Sequence, residues 1–278
     1  MTPVPPKKES PVALITGASS GIGWETARIL ASRGWRLALA ARRKERLETL
    51  AREIENNGGS PALVCPVDIS KPDQARKGVE QTASHFGRLD VLVNNAGILR
   101  MATFQDMPVA EMREIFETNF WATIEAVRAA LPLFEKQGGG HVVQVGSGVS
   151  RRGLPFMGAY AASKFALLGL TESLRVEWAA QNVTFSLVLP GGTETEMPNG
   201  VDRSRLPTGY PERDGVRISA RRAARAVAKA VERRGTEYFV PWWIRPGAWV
   251  SALLPSFADR LIRRSYGDAL GRPRSSHF

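Results

Sequence analysis

The chain has 278 residues, 43% of them hydrophobic and 23% charged, a balance that excludes disordered, collagen-like and coiled-coil proteins. One cysteine, Cys65, rules out an intrachain disulfide, and three scattered histidines (His85, His141, His277) offer no metal-ligand spacing, so no metal is expected. The net charge of +11 is uneven, with 16 Lys+Arg against 7 Asp+Glu in residues 201–278; such a balance suits nucleic acid, an anionic membrane or an anionic ligand, but no nucleic-acid recognition motif accompanies it.

Residues 1–10 are rich in Pro and Lys without an apolar core and read as a disordered arm, not a signal peptide. The apolar run 12–16 leads into glycines and reads as a buried parallel strand, followed by a helix over 22–32. A strand at 37–41 and a charged helix to Asn57 repeat the unit. Further strands at 62–67, 89–93, 142–145, 185–189 and 238–240 alternate with helices at 72–86, 111–134, 161–180 and 219–234. This alternation predicts an α/β fold: one doubly wound parallel sheet of about seven strands with helices on both faces, built from residues 11–241 as a single domain. Residues 194–218 form a long polar loop of the kind that acts as a lid. Residues 242–278 form a basic, Trp-rich extension. Pro241, Pro246, Pro255 and Arg245 forbid a continuous membrane span there. Two readings of the extension stand: Trp242, Trp243 and Trp249 with Arg260, Arg263 and Arg264 lie on an anionic membrane surface, or the segment packs on its own subunit or a neighbour.

The loop Thr16-Gly17-Ala18-Ser19-Ser20-Gly21-Ile22-Gly23 lacks the G-x-G-x-x-G spacing, yet its small residues let backbone amides approach a pyrophosphate at a helix N-terminus. Alone it fits a tight strand-to-helix turn equally well. Downstream stand Asn94-Asn95-Ala96-Gly97, Asn119, Ser147, Tyr160 and Lys164. Tyr160 and Lys164 are four apart and share a helix face, so the ammonium is expected to pull the phenol toward neutrality, where acid–base transfer works best. Ser147 can donate to a carbonyl oxygen on which charge develops. After the second strand, Ala41-Arg42-Arg43-Lys44 replaces the acid that would bind a ribose hydroxyl, and an arginine fork suits a phosphate. A solvated helix start explains Arg43, Lys44 and Arg46 better than it explains Arg42.

In this order and spacing the motifs resemble the short-chain dehydrogenase/reductase family over residues 11–240. The resemblance implies a Rossmann-type fold and a catalytic tetrad of Asn119, Ser147, Tyr160 and Lys164, with Asn119 holding a water that links Lys164 to solvent. It implies NADP(H), bound by Gly17, Ser19, Ser20, Gly21, Ile22, Gly23, Arg42, Arg43, Asp68, Ile69, Asn95, Ala96 and Gly97, and also by Tyr160, Lys164, Pro190, Gly191, Thr193 and Thr195. Thr193 departs from the family, where Val or Ile is usual. The implied activity is hydride transfer between a carbonyl and an alcohol; the alternative is a non-catalytic NADP-binding regulatory or scaffold protein on the same fold. The substrate walls are expected from residues 98–100, 149–156 and the lid, with Leu99, Leu154 and Phe156 making an apolar end. Arg151 and Arg152 border its mouth, as an exposed turn or a receptor for an anionic substrate. The resemblance also implies a homodimer or homotetramer through the 111–134 and 161–180 helices, and the chain is expected to be cytoplasmic.

Overall fold

Runs of four to eight aliphatic residues can bury both faces only inside a parallel sheet, and each such run becomes a strand followed by a covering helix. The computed structural model describes residues 10–197, 201–211 and 217–271. Nearly all of the expected disordered arm, two pieces of the lid and the last seven residues of the extension lie outside these described residues.

In chain order the elements are β1 (Val12–Thr16), α1 (Gly21–Ala31), β2 (Arg36–Ala41), α2 (Lys44–Asn56), β3 (Leu63–Pro66), α3 (Gln74–Phe86), β4 (Val91–Asn94), α4 (Val109–Phe116), α5 (Ala122–Gln137), β5 (Gly140–Val145), α6 (Gly158–Glu177), β6 (Val183–Pro190), β7 (Thr193–Glu194), β8 (Ile218–Ser219), α7 (Ala220–Arg233) and β9 (Glu237–Val240). Seven strands form one parallel sheet in the order β3-β2-β1-β4-β5-β6-β9. One apolar layer joins α1, α2 and α7 to the sheet through Leu30, Leu47, Leu50, Val227 and Val231. The opposite layer joins α3 and α5 through Val79, Val127, Leu131 and Phe134. The fold is thus the doubly wound α/β sheet that the alternation predicts. Its strand order reverses between β1 and β4, and a crevice opens at the carboxyl ends there. The two-stranded parallel pair β7–β8 was not legible in the sequence.

The single helix expected over 111–134 is interrupted. A π-helical turn, Glu117–Trp121, separates α4 from α5 and carries Asn119. An inserted π turn rotates the helix face that follows it, so one continuous 3.6-residue pattern does not describe the segment.

His141, near the amino end of β5, is fully buried. Its Nδ1 lies 2.7 Å from Thr184 Oγ1 and its Nε2 3.2 Å from the Ala230 carbonyl, so one ring ties β5 to β6 and α7. Burial, helped by Arg234, pushes its pKa down to about 4. Cys65 is a buried strand residue whose thiol burial pushes up to about 11.

The extension folds into α8 (Ile244–Leu253), α9 (Pro255–Ser265) and α10 (Gly267–Gly271). Pro246 and Pro255 sit in first helical turns, where no backbone bond is lost. Ala258, Tyr266 and Ala269 are buried against the subunit, and Arg152 pairs with Asp259 of α9. The inner side therefore packs on its own chain, while α8 buries none of its residues. No helix among the described residues is long and apolar enough to cross a membrane.

Candidate active site

The loops after β1, β2, β3, β4, β5 and β6 meet around a cavity of about 790 Å³ at the carboxyl end of the sheet. At one end lies the glycine loop. Gly17 and Gly21 have φ of +67° and +56°, in the left-handed region. A Cβ at Gly23 would sit 2.4 Å from the Gly17 carbonyl oxygen and 2.6 Å from Asn95 Nδ2. Asn95 Nδ2 donates to the Thr16 carbonyl at 2.9 Å, while the Asn95 and Ala96 amides donate to Thr16 Oγ1 at 3.0 and 3.1 Å. The loop is thus pinned from below, with no side-chain cap from Ser20 on the first turn of α1. Uncapped first-turn amides beside small residues fit a pyrophosphate.

Arg42 lines the cavity and makes no ion pair with the described residues. Arg43 does not behave as a solvated helix start. Its guanidinium donates to Ser19 Oγ at 3.1 Å, Ser20 Oγ at 2.9 Å and Glu196 Oε2 at 2.7 Å. Arg46 lies 3.6 Å from the same carboxylate, whose pKa falls below its ordinary value through these contacts, the Arg43 hydrogen bond first. Lys44 alone fits the surface reading, pairing with Glu48. Asp68 accepts from the Ser70 amide and hydroxyl at 3.1 and 2.7 Å, and Asp68 and Ile69 both line the cavity.

Ser147, Tyr160 and Lys164 line the middle of the same cavity. Ser147 caps a short helical turn, accepting from the Val149 amide at 3.4 Å while its own amide donates to Ser150 Oγ at 3.1 Å. The Ser147 side chain works to lower the pKa of the Tyr160 phenol. Lys164 is buried and donates to the Val145 carbonyl at 3.0 Å; burial lowers its pKa to about 8. The expected pull of Lys164 on the phenol is not what dominates here. The ammonium lies 5.9 Å from the Tyr160 ring centroid, and burial raises the phenol pKa while the Ser147 side chain works the other way.

Asn119 stands behind the cavity wall. Its Oδ1 accepts from the Ile98 amide at 2.7 Å, and its Nδ2 donates to the Ile98 carbonyl at 3.0 Å and to Ser163 Oγ at 3.2 Å. It clamps the strand-end loop and reaches Lys164 past Gly97, where a Cβ would lie 3.0 Å from Asn119 Oδ1 and 3.6 Å from Lys164 Nζ. Gly23 likewise supports the loop without lining the cavity. Pro190, Gly191, Thr193 and Thr195 line it, and Thr193 Oγ1 donates to the Gly191 carbonyl at 2.9 Å.

At the far end Leu99 and Leu154 line the cavity as expected, together with Met157, Leu206, Tyr210 and Trp243. Phe156 does not. With φ of +66° it belongs to an aromatic cluster, 5.6 Å from Tyr210 and 6.2 Å from Tyr266 between ring centroids, and so supports the wall from behind. Tyr210 and Tyr266 were missed because they lie 54 and 110 residues from Phe156, a separation that no local pattern spans. Arg151 pairs with Glu172 and Glu237, and Arg152 with Asp259, so neither an exposed turn nor an anion receptor describes them. Among the described residues no cluster of three His, Cys, Asp or Glu is placed to hold a metal.

The short chain dehydrogenase family description matches residues 11–205. The chain is 44% identical over 191 residues to the 11-beta-hydroxysteroid dehydrogenase 1A of Arabidopsis thaliana, covering 68% of this chain and 54% of that protein. It therefore spans about half the length of that relative. Among solved structures, a short-chain dehydrogenase from Sphingobium yanoikuyae in complex with NADPH is 27% identical with a TM-score of 0.74, covering 96% of this chain and 98% of that one. A 3-ketoacyl-(acyl-carrier-protein) reductase from Brucella melitensis complexed with NADH is 28% identical at the same TM-score, covering 84% and 97%. With the matched segment running through the glycine loop, Ser147, Tyr160 and Lys164, the chain belongs to the short-chain dehydrogenase/reductase family.

Proposed function

We propose that the protein is an NADP(H)-dependent oxidoreductase that interconverts a carbonyl and an alcohol on an apolar substrate. The observation that carries this reading is one cavity with Ser147, Tyr160 and Lys164 at its middle, the uncapped glycine loop and two arginines at one end, and apolar walls at the other.

The nicotinamide cofactor supplies or accepts the hydride when bound. Gly17, Ser19, Ser20, Gly21 and Ile22 would hold its pyrophosphate at the α1 N-terminus, Arg42 and Arg43 would meet a 2′-phosphate, and Asp68 and Ile69 would hold the base. Asn95–Gly97 and Pro190–Thr195 close the remaining wall. Ser147 donates a hydrogen bond to the carbonyl oxygen and holds it against Tyr160. Tyr160 gives that oxygen its phenolic proton as the alcohol forms. A buried phenol with a raised pKa stays protonated at neutral pH, which suits this acid role. Lys164, brought to about 8, holds a proton near its tipping point beside the phenolate and returns it. Asn119 positions Ile98 and the Lys164 side of the cavity through its backbone clamp.

The helices over α4–α5 and α6 leave Trp121 and Phe165 exposed, which supports a homo-oligomer through this face. The test of the function is NADPH consumption across a panel of apolar ketones and aldehydes. Tyr160→Phe is expected to lower turnover at least ~100-fold while NADPH affinity stays near wild type. Retained turnover would place the proton donor elsewhere. NADPH binding without turnover on any carbonyl would favour the non-catalytic alternative.

A further inference from the structure

The outer side of the extension is apolar and nothing in the described chain covers it. Trp249 and Leu253 stand four apart on α8, with Trp242 in the turn just before it, and Leu254, which leads into α9, is followed by Phe257 and Leu261 on that helix. Trp242 is 71% exposed, Trp249 60% and Leu253 73%. A side chain so exposed gives up apolar area to water unless a partner takes it. Around this face stand Arg245, Arg260, Arg263 and Arg264, all exposed. Of the two acids in these three helices, Asp259 is already held by Arg152.

We propose that α8 and the outer side of α9 form a docking face for an anionic lipid surface. Three observations select that occupant. A second copy seated on the same face would bring the same arginines opposite one another with no acidic complement, whereas anionic headgroups supply the missing charge. Indole rings favour the boundary between water and hydrocarbon, and arginines keep their charge in water while their stems lie on apolar surface. Helices of 10 and 11 residues, each with a proline in its first turn, are too short to span a bilayer of about 20 residues per helix but suit a surface-lying pair. Trp243, whose ring lies 6.3 Å from that of Trp242, also lines the cavity, so the docking face adjoins the cavity's apolar end.

The reading is independent of the carbonyl chemistry because binding is measured on the protein itself. Removing the extension would also remove the Tyr266 ring that packs on Phe156 and Tyr210, so point variants at exposed positions are the test. Full-length protein is expected to sediment with phosphatidylcholine vesicles that contain phosphatidylserine, less so at high salt, and not with phosphatidylcholine alone. Its tryptophan emission is expected to shift to the blue on binding. Trp249→Ser with Leu253→Ser should abolish sedimentation. Arg263→Ala with Arg264→Ala should weaken it roughly 20- to 30-fold, each arginine near an anionic surface being worth about fivefold. Both variants should keep the wild-type melting temperature and sedimentation coefficient. No binding at low salt, or equal binding to neutral vesicles, would overturn the proposal. A change of oligomeric state in either variant would also overturn it, making the face an interface between copies.

Discussion

The two ends of the cavity are built by different means. The glycine-loop end comes from segments that leave the carboxyl ends of β1 to β4; local backbone requirements set its shape, with positive φ at Gly17 and Gly21 and no Cβ at Gly23, and the neighbouring β4 loop pins it through the Asn95 and Ala96 amides on Thr16. The apolar end is walled by residues such as Leu99, Leu154, Tyr210 and Trp243, and Tyr210 is braced by Phe156 and Tyr266, rings brought together only by the finished fold. A site made of local turns tolerates little change and varies little in what it binds. A site made of packed rings from remote segments can change ligand without disturbing the first.

That contrast is open to attack from both sides. Tyr266→Ala removes a ring that is 1% exposed and should cost about 3–5 kcal/mol of stability, as large aromatic truncations in a core do. If the ends are independent, the surviving folded protein still binds NADPH within a few-fold of wild type by titration, while KM for apolar carbonyls rises. Gly23→Ala is the converse. A methyl group 2.4 Å from the Gly17 oxygen forces the loop apart, and affinity for NADPH and NADH alike should fall about 10- to 100-fold by calorimetry. Equal loss of apolar-ketone discrimination would show that the ends are coupled. Arg42→Ala should separate the two cofactors, weakening NADPH by ~10-fold or more with NADH little changed, since a charge-assisted bond contributes about 1.5–3 kcal/mol. The smallest effect belongs to Glu196→Gln. Glu196 competes for Arg43 across a half-exposed ion pair worth at most ~1 kcal/mol, so its loss should tighten NADPH up to ~5-fold and leave NADH unmoved.

The same division explains what the sequence could tell. The parallel sheet, the glycine loop and the placement of Ser147, Tyr160 and Lys164 follow from short apolar runs, turn glycines and a four-residue helical spacing, all of which are local signals. The π turn that carries Asn119 has no such signal, because residues 117–121 are as helix-compatible as their neighbours. Arg43 read as surface because its partners, Ser19, Ser20 and Glu196, lie 24, 23 and 153 residues away. Phe156 read as a cavity residue because apolar character is visible in sequence and ring direction is not. The extension admitted two readings because it has two sides, one packed through Ala258, Tyr266 and Ala269 and one bare along α8 and the outside of α9.

His141 gives the fold an acid limit at the end of the sheet remote from the cavity. Its pKa is about 4 when folded against an ordinary 6.5, so the unfolded chain takes up a proton that the native ring refuses. The clasp among β5, β6 and α7 therefore contributes fully above pH 6.5. Between there and pH 4 its contribution drains away, by roughly 3 kcal/mol in all at 1.36 kcal/mol per pKa unit. Acid should thus end activity by loosening the scaffold, because below pH 6.5 Lys164 is already protonated and Tyr160 stays so. In His141→Gln, which has no proton to gain, the melting temperature should be lower at pH 7.5 and much flatter on descent to pH 5 than in wild type. Parallel slopes for the two proteins would assign the acid limit to other groups.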